Sequence, residues 1–210
     1  MINKQVDFTL LKPYADVVDH REFFGKARKY NPYAVCVFPM FAKMAYHEFK
    51  ETDIKICAVI GFPFGNNSTA TKVLETSLIR DYVDEIDVVM NIADLKSGHF
   101  RDVMQDIRAV RKESIWQWNN LTLKVIIETC YLTEAEKRMA IEICLQTGAD
   151  YVKTSTGYGT SGATVEDIKL IKSIVGEDCR IKASGGIKTL EFAQELIKAG
   201  ADRIGSSTEL

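Results

Sequence analysis

The chain has 210 residues, enough for one sizeable folded unit and short for two. A formal net charge of -2 supplies no basic surface for nucleic acid, and 46% apolar with 27% charged residues is the composition of an ordinary soluble globular protein. The five cysteines (36, 57, 130, 144, 179) are odd in number and contain no C-x-x-C, which argues against a disulfide framework or a zinc site; with no signal-peptide start and no apolar run of bilayer length, a cytoplasmic protein that binds no membrane is expected.

In chain order, the first β-rich run is 6–10 (VDFTL), followed by a helical pattern over 15–29. Strands at 33–38 (YAVCVF) and 55–60 (KICAVI) alternate with helices at 41–50 and 69–82. The strand at 85–90 (EIDVVM) precedes a helix predicted over 99–117, and 122–128 (TLKVIIE) precedes one over 134–147. Thr133 with Glu136 reads as a capping box for that helix and Gly148 as its stop. A strand at 150–154 (DYVKT) then gives way to a Gly/Ser/Thr loop. Thr164 with Asp167 opens the helix 165–175 in the same manner, and Gly176 ends it. Strand 180–183 (RIKA), a helix over 190–199 between Thr189 and Gly200, and strand 202–206 (DRIGS) complete the series.

Eight βα units without a linker predict an α/β fold, a (β/α)8 TIM barrel spanning 1–210 as one catalytic domain. An internal echo supports repeated units: T-G-A-D-Y-V-K-T-S-T at 147–156 resembles A-G-A-D-R-I-G-S-S-T at 199–208. Side chains alternate across a strand, so an inward Lys182 brings Arg180 and Ser184 with it and sends Ile181 and Ala183 outward. An inward Asp87 likewise leaves Ile86, Val88 and Met90 outside, and Asp7 shares a face with Thr9.

Gly157, Gly159 and Gly162 spell G-x-G-x-x-G, but Glu177 and Asp178 lie before the next strand, at the wrong rim to reach a dinucleotide ribose. A loop over the barrel mouth with amides free for phosphate fits better. Lys153 and Lys182 occupy equivalent places on strands 6 and 7. A lone strand-end lysine snorkels to solvent, but two on adjacent inward faces each disfavour protonation of the other, and a neutral lysine attacks carbonyls to form a Schiff base. Asp87, across the barrel, reads both as their counter-ion and as a proton carrier. The turns after strands 7 and 8 carry Gly185, Gly186, Ser206 and Ser207, where such barrels hold phosphate. Cys36 reads as a small apolar packing residue on an inward parity. His20, His47 and His99 do not cluster, and Trp116 and Trp118 read as packing or interface residues at a helix end.

The motifs V-K-T-S-T-G (152–157), K-A-S-G-G-I-K-T (182–189), D-E-I-D-V-V-M-N (84–91), K-V-I-I-E-T (124–129), V-I-G-F-P-F-G (59–65) and T-L-L-K-P (9–13) resemble the deoxyribose-phosphate aldolase family over residues 7–208. The resemblance implies a class I aldolase without metal, whose covalent intermediate is a Schiff base rather than a bound cofactor. It would interconvert 2-deoxy-D-ribose 5-phosphate with acetaldehyde and D-glyceraldehyde 3-phosphate in deoxynucleoside catabolism. It further implies Lys153 as the Schiff-base residue, Lys182 and Asp87 as its proton partners, and Asp7, Thr9 and Cys36 close around them. Gly157, Gly185, Gly186 and Ser207 would hold phosphate, and a homodimer is implied.

The chain departs from the family pattern in three places. Phe8 stands where a histidine is usual, Lys188 where arginine is common, and the sequence given stops at Leu210, where relatives continue into a closing helix and tail. Two other readings stay open at this point: a metal-free sugar-phosphate isomerase with no covalent adduct, and a shortened relative that binds ligand with weak or no turnover.

Overall fold

In a computed structural model, which describes residues 2–116 and 119–210, eight parallel strands close into a barrel in chain order. They are β1 (Val6–Thr9), β2 (Ala34–Val37), β3 (Lys55–Ile60), β4 (Glu85–Val89), β5 (Thr122–Ile126), β6 (Tyr151–Lys153), β7 (Arg180–Ser184) and β8 (Arg203–Ser206). Closure is made by β8 on β1 through Val6–Ile204, Asp7–Gly205 and Phe8–Ser206. Around them run α1 (Val17–Tyr30), α2 (Ala42–Phe49), α3 (Thr69–Ile79), α4 (Ile92–Lys96), α5 (Phe100–Ser114), α6 (Glu134–Gln146), α7 (Val165–Val175) and α8 (Leu190–Lys198). No helix among the described residues is long and apolar enough to cross a membrane.

Among the described residues, sequence periodicity finds every barrel strand and all but one of these helices. The exception, α4, is a single turn capped by Asn91, whose side chain accepts from the Asp94 amide; five residues are too few to show a 3.6-residue period. The helix predicted over 99–117 stops at Ser114, and Ile115–Trp116 pairs antiparallel with Asn119–Asn120. Trp116 therefore lies on this short ribbon and not at a helix end, with the Arg80 guanidinium 3.7 Å over its ring; Trp118 lies outside the described residues. The capping box at Thr133 and Glu136 forms in both directions. At Thr164 only half of one forms: its side chain accepts from the Asp167 amide, while the Asp167 carboxylate turns to Lys137 Nζ at 2.6 Å.

Side chains alternate inward and outward around the barrel as strand parity requires. Val6, Phe8, Val35, Ile86, Val88, Ile181, Ala183 and Ile204 face outward into one continuous aliphatic and aromatic core shared with the helices. Phe8 stacks on Phe23 there, with ring centroids 4.8 Å apart. Inside, a small apolar group of Leu11, Cys36, Cys57 and Val59 occupies the β2–β3 side. Much of the rest of the interior is charged, with Asp7, Glu85, Asp87, Lys124, Lys153, Lys182 and Arg203 all buried there.

Candidate active site

Lys153 and Lys182 are Cα partners on β6 and β7, and Asp87 on β4 is the partner of Lys124 on β5. These registers aim all four side chains at one point in the barrel. Asp87 Oδ2 accepts from Lys153 Nζ and Lys182 Nζ, both at 2.7 Å. Its Oδ1 accepts from Lys124 Nζ at 2.9 Å and from the Cys57 thiol at 3.1 Å. Lys182 also donates to Asp7 Oδ2 at 2.5 Å, and Arg203 to Asp7 Oδ1 at 2.7 Å. Glu85 completes the set, 2.5 Å from Lys124 and 3.5 Å from Arg203.

Three buried carboxylates thus face four buried cations. Burial pushes the Asp87 carboxyl up, but Lys124, Lys153 and Lys182 outweigh it and hold the group well below the usual range. Asp7 is lowered in the same way by Lys182, Lys124 and Arg203. For Lys182, burial pulls down and the carboxylates of Asp7 and Asp87 pull up more strongly, so it stays above its ordinary value. This corrects the expectation that neighbouring lysines would each disfavour the other's proton: the repulsion is present, but two carboxylates override it at Lys182, which is a fixed cation. Lys124 is held up similarly by Asp87, Cys57, Glu85 and Asp7. Lys153 has one carboxylate partner, Asp87.

A cavity of about 630 Å³ opens at the carboxyl ends of β1, β6, β7 and β8. Lys153 lines it, as do Thr9, Gly157, Gly185, Gly186, Ser206 and Ser207. Among the described residues, no other interior cation does. Asp7, Cys36, Asp87 and Lys182 are fully buried and do not line the cavity. The glycine-rich loop has a packing reason: a Cβ on Gly162 would lie 2.0 Å from the Gly185 carbonyl oxygen, so the loops after β6 and β7 touch only because both residues are glycine. Gly185 and Gly186 adopt φ of 83° and 74°, which turns the chain over the cavity. The two serines differ. The Ser206 hydroxyl, buried, is committed to Ile187 O and Thr208 O, whereas Ser207 is exposed at the cavity wall.

The profile of the DeoC/LacD family aldolases matches residues 4–208. The chain belongs to this family. It is 47% identical over 207 residues to the deoxyribose-phosphate aldolase of Caldanaerobacter subterraneus subsp. tengcongensis, covering 98% of this chain and 89% of that one. The solved structure of an aldolase, QR15, superposes with a TM-score of 0.92 at 41% identity, covering 98% of this chain and 91% of that one. The deoxyribose phosphate aldolase of Aeropyrum pernix, described as a tetramer, superposes with a TM-score of 0.89 at 28% identity over 98% and 86%.

Sequence reasoning about this DeoC/LacD aldolase missed five residues. Lys124, Glu85, Arg203 and Cys57 all stand on inward parity beside residues that were singled out, so extending the alternation along each strand finds them. Glu128 falls on the same alternation within the predicted strand 122–128, but β5 ends at Ile126, so strand parity does not place its side chain. It is buried, with a left-handed backbone at φ 40°, a conformation non-glycine residues adopt at a cost of about 1–3 kcal/mol. Its carboxylate accepts from the Thr156 hydroxyl and, at 3.3 and 3.4 Å, from the Thr156 amide. It thereby anchors the loop that begins the cavity wall. Tyr158 pins the same loop from the far side by donating to the Leu11 carbonyl. His20, His47 and His99 stay apart, as expected; His20 is buried against Phe41.

Proposed function

We propose that this aldolase reversibly cleaves 2-deoxy-D-ribose 5-phosphate to acetaldehyde and D-glyceraldehyde 3-phosphate through a Schiff base on Lys153. The observation that carries this reading is that, among the described residues, Lys153 alone joins the cavity to the buried charge cluster, its Nζ 2.7 Å from Asp87 Oδ2.

In the cleavage direction the neutral Lys153 amine adds to C1 of the open-chain sugar, and loss of water leaves an iminium. Removal of the C3 hydroxyl proton then breaks C2–C3, with the electron pair moving to the iminium to give an enamine. Glyceraldehyde 3-phosphate departs, the enamine carbon is protonated, and hydrolysis frees acetaldehyde and the amine. Asp87 is the counter-ion for the iminium, and Lys182 keeps that carboxylate ionised and in place. Asp87 is the proton carrier, reaching the substrate through water, and Lys182, a fixed cation, positions that carboxylate rather than exchanging its own proton. Thr9, beside Lys153 at the cavity, donates to the Asp7 carbonyl and so presents its hydroxyl oxygen to the substrate as an acceptor. Gly157, Gly185 and Gly186 offer the phosphate close approach to backbone, and Ser207 offers a hydroxyl. Ser206 shapes the turn. A homodimer is the assembly carried with this reading, with sedimentation velocity as its check.

Acetaldehyde with borohydride is the test. A two-carbon adduct on Lys153, located by peptide mass spectrometry and absent from Lys153→Met, is expected. Folded protein without an adduct, or with one elsewhere, would remove the assignment.

A further inference from the structure

Cys36 and Cys57 stand 21 positions apart in sequence, a spacing that suggests no metal site, yet they are Cα partners on β2 and β3 and both point inward. Their sulfurs and a carboxylate oxygen of Asp87 all lie within 4.8 Å of one another, and all three residues are fully buried. We propose that the floor of this active site is an inhibitory site for a soft divalent cation, Zn2+ or Cd2+, held by the Cys36 and Cys57 thiolates and by Asp87.

The donor set decides the class of ion. Two sulfurs and one carboxylate suit zinc and its heavier congener, whereas magnesium and calcium require oxygen ligands. Tetrahedral zinc bonded to sulfur at about 2.3 Å places two sulfurs about 3.8 Å apart, compatible with sulfurs that lie within 4.8 Å of each other. Cys57 Sγ and Asp87 Oδ1, at 3.1 Å, need a small outward adjustment.

Charge is the main objection, since four cations already line this interior, and it has a specific answer. Binding one M2+ converts two S–H groups to M–S bonds and releases two protons, so the net charge of the compartment does not change. Lys124 must give up Asp87 Oδ1, but it keeps Glu85 Oε2 at 2.5 Å. Lys153 and Lys182 remain on Oδ2. Inhibition follows because Asp87 shares its negative charge with the metal and so balances less of the positive charge that develops on Lys153; this consequence rests on the Schiff-base reading, while the binding itself does not. Both thiols and Asp87 are fully buried, so loading is slow and inhibition time-dependent.

The probe is Cd2+ added to metal-free protein in thiol-free buffer. An ultraviolet thiolate-to-cadmium absorption band, a single bound Cd2+ per chain by equilibrium dialysis, and no binding of Mg2+ are expected. Cys36→Ser and Cys57→Ser lose the band, Cys57→Ala serves if the serine variant misfolds, and Cys130→Ser at a half-buried site elsewhere retains it. Borohydride trapping of acetaldehyde on Lys153 is lost on loading and returns with chelator. No band, or a band that survives Cys57→Ser and disappears with Cys130→Ser, overturns the site. A band with undiminished trapping overturns the inhibition. Failure of the metal-free protein to trap acetaldehyde counts against the Schiff base, and the band still decides the cation site.

Discussion

On β7, Ile181 and Ala183 lie in aliphatic packing on the outer face, while Lys182 between them is just as buried among the carboxylates of Asp7 and Asp87. The same wall therefore solves burial in two ways. Outside, each contact contributes a little and losses are graded. Inside, every ion is tolerable only because its partners are present, so removing one leaves the others uncompensated. The outer face carries the fold; the inner face carries fold and, on the proposed mechanism, chemistry on the same groups.

The largest expected departure from graded behaviour is Asp87→Asn, which is nearly isosteric yet removes the shared partner of Lys124, Lys153 and Lys182. It should cost about 3–5 kcal/mol in urea unfolding, beyond its effect on activity. A cost near that of an ordinary core truncation would mean that water already screens the interior, and the contrast between the two faces would collapse.

Next in size is Glu128→Gln, at the rim where the two regimes meet. Replacing a charged acceptor of the Thr156 amide and hydroxyl should cost about 1.5–3 kcal/mol in loop order. The expected readout is a rise of roughly ten-fold or more in KM for the phosphorylated sugar, with a smaller change for unphosphorylated 2-deoxyribose. Equal changes for both substrates would mean that the loop held by Glu128 takes no part in binding phosphate.

The strand alternation, caps and G-A-D echo made the barrel readable in the sequence, and parity placed Lys153, Lys182 and Asp87 on one inner surface. What local pattern could not give was the closure that sets β4 against β5 and β8 against β1. Lys124 and Arg203 acquire their roles only from those registers, and Asp7 joins Lys182 across 175 positions. Local hydrogen bonding was equally hidden. Ser206 and Ser207 look interchangeable in sequence, and the turn at Thr208 takes the hydroxyl of one and leaves the other exposed. Glu128 escaped because a left-handed glutamate leaves no compositional trace.

A third effect separates the faces by pH. Asp7 and Asp87 titrate below an unfolded carboxyl, which lies near about 3.9. Each therefore stabilises the fold fully above that value, and its contribution is lost as pH falls toward the lower folded values. Stability should be flat through neutral pH and fall as pH drops below about 5, each carboxylate contributing up to about 1.4 kcal/mol per pH unit. Asp87→Asn should make this acid limb shallower, and an unchanged limb would mean that Asp87 carries the same proton affinity folded and unfolded.

The smallest effect completes the contrast. Ile181→Val removes one methyl group from the outer face of β7, one residue from Lys182, at a fully buried position. The lost transfer energy and a small void together should cost about 0.5–1.5 kcal/mol. The acid limb should keep the wild-type slope, because the outer face contains none of the titrating groups, and borohydride trapping on Lys153 should be unchanged. If this one methyl instead alters trapping, the β7 backbone shifts when its outer packing loosens, and Lys182 moves with it. The two faces would then be mechanically coupled, and the active-site geometry would depend on aliphatic packing as much as on its charges.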